Sequence, residues 1–422
     1  MNNKIVIVNR WYFKAFGPTI YLFNISKMLE ADGCEVIPFS VNRLMNNPTP
    51  YSKYFVDPPY DEAILFFNDA KISTWQKLKV FANCIYSFQA KAKMERLLDD
   101  EKVDLVYLLA ITNDISPSII SACKKRNIPV VMRLSDFYLV CGNYHFMRDN
   151  KLCTLCVDKN VMQCVKYKCV KNSLLPSATR AIAMTIHNII KIYDYVDAFI
   201  CPCMFMKEAL VKAGFPEDKL HHVNSFIDTS IVQPKYESGD YVLYFGRFSP
   251  EKGIDYLLTA ISTLPRSIKL RLVGSSNDNP YFEVLRAMVV DYDLRLVEFC
   301  DREDGDELMK MIQGSRFVVV PSVCADNSPL SVIESMACGK PVIGSDIGGI
   351  SEQIIHGKTG YLVPPADTQV LAERIAELWN NQTLVENMGK NARIHVEKNF
   401  SADQHFGKLK SIFTDCINKH LT

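Results

Sequence analysis

The sequence predicts an α/β protein made of two doubly wound halves. Its 422 residues exceed what one ordinary core accommodates. A short apolar strand, a glycine loop and an amphipathic helix follow one another several times in each half. The strands are Val/Ile/Leu runs without alternation, the pattern of a parallel sheet covered by helices on both faces. Between the halves the text loosens to DTSIVQPKYESGD at residues 228–240, which places the boundary there.

In the front half the strands are expected at residues 4–8, 35–39, 104–109, 129–134 and 197–201. In the rear half they are expected at 241–245, 269–273, 295–299, 317–320 and 341–344, with helices at 254–262, 281–290 and 307–313 among them. The front domain is thus assigned to residues 1–234 and the rear domain to 240–400. The tail, 401–422, reads as a helix opened by Ser401, with an apolar stripe of Phe406, Leu409, Ile412, Phe413 and Ile417.

A formal charge of +1 gives no global attraction to nucleic acid or membrane, and none to nucleic acid is expected. The charge is uneven, however: the front half has a basic excess of about six and the rear half an acidic excess of about five. No apolar run is long enough to span a bilayer, and MNNKIVIVNRWYF enters a strand directly without signal-peptide features. A cytoplasmic location is expected, with the fourteen cysteines as thiols or metal ligands rather than disulfides.

The segment 321–353, PSVCADNSPLSVIESMACGKPVIGSDIGGISEQ, reads as a strand end, an acidic loop, a helix, a second strand and a glycine turn. Ser328 suits the N-cap, Pro329 the first helical position and Gly339 the left-handed residue that closes the helix. A helix N-terminus can hold a phosphate through its free N–H groups. Asp326 in the loop and Glu334 on the helix, eight residues apart, are then left for hydroxyls on either side of that phosphate. A ribose and a hexose flanking a phosphate describe a nucleotide-sugar.

The stretch from Asp326 to Gly349 resembles the signature of the retaining glycosyltransferases of family four, Glu-x7-Glu followed by Met-Ala-x-Gly-Lys-Pro-Val and a Gly-Gly turn. Asp326 replaces the first Glu and Glu334 is the second. Upstream, Gly246-Arg247-Phe248-Ser249-Pro250-Glu251-Lys252-Gly253 resembles the same family's phosphate-binding turn. The resemblance implies a GT-B fold, two Rossmann-like domains facing across a cleft, with the last helix returning to the first domain. It assigns Arg247 and Lys252 to the donor diphosphate, Glu334 to the ribose and Asp326 to the transferred sugar. Asn327, Ser328, Pro329 and Leu330 would meet the distal phosphate, and Gly246 and Gly274 would line the nucleotide. Gly17 stands where the family has the second glycine of a pair, and Phe16 replaces the first. At Ser135-Asp136 the family has His-Asp. Three explanations stay open: the His is dispensable, Asp136 contributes instead, or catalysis is weakened. No acid cluster with metal-ligand spacing accompanies these residues, so no catalytic metal is expected.

Between Cys141 and Cys169 lies a cysteine-rich loop in which Cys153 and Cys156 form a C-x2-C pair, followed by Cys164 and Cys169. Four thiolates at these spacings match a structural zinc site, and reduced, packed thiols are the alternative. Lys159, Lys166, Lys168 and Lys171 make the loop basic. It could meet a lipid diphosphate or an anionic membrane, or simply face solvent.

The expected function is transfer of a sugar from a UDP- or GDP-linked donor to a glycan or lipid-linked acceptor in surface polysaccharide synthesis, at most peripherally on the inner membrane face. A donor-binding partner subunit without activity is the alternative. An epimerase or phosphorylase would need a catalytic constellation of its own, and none is found.

Overall fold

The computed structural model describes residues 3–14, 17–60, 73–275 and 280–421. The front half contains β1 (Lys4–Asn9), β2 (Glu35–Phe39), β3 (Leu105–Ala110) and β4 (Val130–Arg133), then a hairpin of β5 (Met147–Arg148) and β6 (Lys151–Leu152), then β7 (Ala198–Cys201) and β8 (Leu220–His222). Apart from the hairpin these form one parallel sheet in the order β2-β1-β3-β4-β7-β8. The rear half contains β9 (Val242–Phe245), β10 (Leu270–Val273), β11 (Val297–Cys300), β12 (Phe317–Val320), β13 (Val342–Ser345) and β14 (Gly360–Val363). Its sheet is also parallel, in the order β11-β10-β9-β12-β13-β14.

Each expected strand is present, with ends within two residues of the expected ones. Four strands escape the sequence reading: the two-residue hairpin strands β5 and β6, and β8 and β14, which both lie at the edge of a main sheet. An edge strand pairs on one side only, so a run as short as Leu-His-His suffices and carries little apolar signal. The central strands are buried along nearly their whole length. That is why they read as unbroken apolar runs.

The last helix, Ala402–Leu421, packs on the front sheet. Leu409, Ile412 and Phe413 of its stripe are buried there beside Ile5, Ile7 and Tyr107, while Phe406 and Ile417 are partly buried. Polar bonds fix the helix along its length: His405 Nε2 to Tyr21 Oη at 2.9 Å, Lys410 to Asp32 at 2.6 Å and His420 to Asp197 at 2.9 Å. Phe413 is fully buried, edge-on to Tyr107 at 5.0 Å between ring centroids. Phe413→Ala is therefore expected to lower stability by about 3–5 kcal/mol, the range for an aromatic core truncation. Urea unfolding measures it, and a loss below about 1 kcal/mol would show that this contact contributes little.

Both sheets present the carboxyl ends of their strands to the loops singled out above. In an open α/β sheet that edge is where ligands bind.

Candidate active site

Lys252 follows β9 on a short helical turn, Pro250–Lys252, that ends at Gly253 in a left-handed conformation. A Cβ on Gly253 would stand 2.1 Å from the Pro321 carbonyl oxygen, so glycine is required for the turn to lie against the end of β12. This contact brings Lys252 to the loop after β12. Its ammonium lies 2.6 Å from Asp326 Oδ1 and 2.9 Å from Oδ2, with both side chains largely buried. Burial works against the charged form of each group. The partner charge outweighs it, leaving the Lys252 pKa raised and the Asp326 pKa lowered. The pair is thus ionised across the neutral range.

Arg247 takes a different position. It is exposed and bonds Glu251 at 3.1 Å rather than Asp326, although its charge still reaches the Asp326 carboxylate. Gly246 and Gly274 touch: a Cβ on Gly274 would sit 2.3 Å from the Gly246 carbonyl oxygen. The two glycine turns after β9 and β10 therefore close on each other. Gly17 opens the helix Gly17–Ala31 in open space, and Phe16 lies outside the described residues.

The helix after the acidic loop runs Leu330–Ala337, with Pro329 as its N-cap in an extended conformation and no side-chain cap. This corrects the expected start at Pro329 with Ser328 as cap. Ser328 Oγ instead accepts a bond from Gln353 Nε2 at 3.1 Å and makes no capping bond to the helix. Gly339 does take the left-handed position after the helix. The Gly348-Gly349 turn explains the shape of the loop. Gly349 N donates to the Asp326 carbonyl at 2.7 Å, and a Cβ on Gly349 would meet the Asn327 carbonyl oxygen at 2.1 Å. Among the described residues no protein acceptor faces the N–H groups of Asn327, Ser328 or Leu330. Those donors, next to the Lys252 ammonium, form a setting for an anion.

Glu334 lies one turn into this helix. Burial, with Asp304 adding like charge, pushes its carboxyl up to about 7. Such a group gains from hydroxyl donors that the protein does not itself supply.

The halves meet around this loop. Asn327 Nδ2 donates to the Leu134 carbonyl at 2.8 Å, one residue before Ser135, and Cys203 Sγ approaches Asn327 Oδ1 at 3.3 Å. Ser135 Oγ accepts from Arg133 Nη1 at 3.1 Å, and Asp136 Oδ1 accepts from the Tyr138 N–H at 2.8 Å. Glu352 is a contact that the sequence reading misses. Its two carboxylate oxygens accept from Met204 N and Phe205 N, each at 2.7 Å, capping the front-half helix Met204–Lys212 from the rear half. Three residues after Gly349, it looks in sequence like an ordinary first-turn acid of the helix Gly349–Gln353. His145 is the second residue missed, and its ring lies within electrostatic reach of Glu251, Arg247, Asp136 and Asp326.

The cysteines form a separate knot. Cys164 is buried, with its thiol pushed up to about 12 by burial and by Cys169, Cys156 and Cys141 around it. Its sulfur fills the space a Cβ on Gly142 would need. Cys153, Cys156 and Cys169 are half-buried beside it. Among the described residues, no three His, Cys, Asp or Glu side chains are grouped as a metal ion requires. The four thiols have the chemistry of a zinc site, and the arrangement seen is that of packed thiols.

The family model of glycosyltransferase family 4 matches residues 17–231, half of the chain, and that of the group 1 glycosyl transferases matches residues 227–395. The chain belongs to glycosyltransferase family 4. An uncharacterized glycosyltransferase of Methanocaldococcus jannaschii is 32% identical over 182 residues, 43% of this chain and 50% of that protein. The chain spans about half the length of the curated relatives it matches. Sucrose-phosphate synthase from Thermosynechococcus elongatus superposes with a TM-score of 0.72 at 19% identity, covering 99% of this chain and 100% of that one. The Anabaena protein HepE, solved with UDP-glucose, gives 0.66 at 16% identity over 97% and 100%. The family's two-domain GT-B fold is the architecture described above.

Proposed function

We propose that this family member transfers a hexose from a UDP- or GDP-sugar, with retention of configuration, to a glycan or lipid-linked glycan in surface polysaccharide synthesis. The observation that carries the reading is the Lys252–Asp326 pair set beside the N–H donors of Asn327, Ser328 and Leu330, one turn before the high-pKa Glu334. Lys252 and Arg247 neutralise the diphosphate, with the N–H donors on its distal phosphate. Glu334 accepts from the ribose hydroxyls and Asp326 from the hexose. In the transfer, the bond between the anomeric carbon and the β-phosphate oxygen breaks and its electron pair leaves with the diphosphate. The acceptor oxygen bonds the anomeric carbon and its proton passes to the departing phosphate. Donors fixed on the leaving oxygens lower this barrier because they strengthen as charge develops there. That UDP-glucose binds a protein of the same fold supports the donor class.

A thermal-shift screen across UDP-, GDP- and ADP-hexoses tests the donor site, since a bound ligand raises the melting temperature. One nucleotide class is expected to stabilise the protein by several degrees. No shift with any of them would remove the reading. A binding-only partner subunit remains the second reading, favoured by Ser135, whose hydroxyl is engaged by Arg133 where the family has a His. It predicts a thermal shift without donor breakdown.

Membrane contact belongs to the same proposal. On the helix Leu174–Ile189, Leu175, Ile182 and Ile189 are exposed at seven-residue spacing, flanked by exposed Lys166, Lys168, Lys171 and Lys191. No described helix is long and apolar enough to cross a bilayer. An apolar stripe with a basic border suits an anionic surface. For the cysteine knot, zinc content near one per chain together with a lower melting temperature in Cys153→Ser would establish a structural metal, and a metal-free protein would leave packed thiols.

A further inference from the structure

His145 stands in the turn that follows Asp136, in the cysteine-rich loop, and the loop is held from several directions. Phe137 N donates to the Tyr144 carbonyl at 3.2 Å, and His145 N donates to Asn143 Oδ1 at 3.3 Å. Asn143 Nδ2 donates to the Met147 carbonyl at 2.7 Å. Phe146 is fully buried, 4.5 Å from the Phe137 ring and 6.0 Å from the Phe205 ring. Further along, Asn150 Nδ2 lies 3.5 Å from Tyr256 Oη of the rear half, so the loop touches both halves.

The backbone on either side of His145 is unusual. Tyr144 has φ 66° and Phe146 has φ 48°, left-handed conformations that bulky aromatic residues rarely adopt. Backbone of this kind persists where its surroundings over-determine it, and it clusters at functional sites. Here it fixes a half-buried imidazole between two flanking aromatic residues. The charges of Asp136 on its own half, and of Glu251, Arg247 and Asp326 on the other, act on the ring.

We propose that His145 is a substrate-contacting residue that bonds a hydroxyl of the transferred sugar from the front half, opposite Asp326 in the rear half. The inference rests on the reading of Asp326 as the sugar-binding carboxylate. Burial, only partly offset by Glu251, holds the imidazole pKa below its ordinary value, so at neutral pH the ring has one donor and one acceptor nitrogen. A neutral ring with both functions matches a sugar hydroxyl, which also donates and accepts.

The test uses His145→Ala and His145→Gln in the full chain, with the UDP-, GDP- or ADP-hexose that stabilises the protein most as substrate. Donor hydrolysis is measured, together with affinity for the corresponding nucleoside diphosphate, which lacks the sugar. The expected result is at least a tenfold loss of turnover in His145→Ala, a partial recovery in His145→Gln, and diphosphate affinity within twofold of wild type in both. Turnover within twofold of wild type in His145→Ala would overturn the proposal. So would diphosphate affinity falling in step with turnover, because that would mean the residue only shapes the loop. Lys252→Ala, run alongside, separates the two levels. If it is inactive while His145→Ala is active, His145 alone is misassigned. If Lys252→Ala turns over normally, the donor site is misplaced and the His145 proposal falls with it.

Discussion

Lys252→Ala is expected to abolish turnover and to lower stability by about 3 kcal/mol, the scale on which a largely buried ion pair resents loss of one partner. The cause is the carboxylate left behind. Asp326 would lose both short bonds to the ammonium and remain largely out of water. A second substitution separates the two effects. In Lys252→Met/Asp326→Asn no charge is stranded, so stability should return towards wild type while activity stays lost. Urea unfolding and donor hydrolysis read the two quantities independently. The pair also sets a pH dependence. Because the folded-state pKa of Asp326 lies below its ordinary value, its stabilisation is present above about pH 4 and is lost as pH falls through the lowered value. A Lys252→Ala protein as stable as wild type would show that the pair is solvated and contributes nothing to the fold.

Glu334→Gln is expected to remove donor affinity at least tenfold and to stabilise the empty protein at alkaline pH. The two effects share one origin. The carboxyl is raised to about 7 from an ordinary 4.5, chiefly by burial. The folded state therefore resists its ionisation. Stability contributed by the protonated form is fully present below about pH 4.5 and lost as pH rises through 7. Glutamine keeps the shape without the charge and escapes that loss. For donor binding the sign reverses. Hydroxyl donors favour the carboxylate, so affinity should rise with pH up to about 7 in wild type and be flat in the variant. Melting curves and donor titrations between pH 5 and 9 check both slopes, and parallel curves for wild type and variant would dissociate Glu334 from the donor.

These residues show what the sequence makes legible. The neighbourhood of Lys252 and Asp326 is legible in sequence because each lies in a loop after a strand that is an uninterrupted apolar run, with Glu334 on the helix that follows, and because Gly253 and Gly349 mark turns where backbones touch. The start of the helix at Leu330 is misjudged because Ser328 bonds Gln353, a partner 25 residues away. Glu352 and His145 are illegible for the same reason on a larger scale. Glu352 matters through Met204 and Phe205, nearly 150 residues earlier, and the charges acting on His145 include Glu251 and Asp326 in the other half. No local periodicity encodes a contact between domains.

The most direct test of the central claim is release of nucleoside diphosphate from the nucleotide-hexose that stabilises the protein best, without added acceptor. Slow release by the wild-type protein, lost in Lys252→Ala and Glu334→Ala, is predicted, because water can replace the acceptor hydroxyl once the leaving group is stabilised. Tight binding with no release by the wild-type protein would contradict it, as would release that survives in Lys252→Ala.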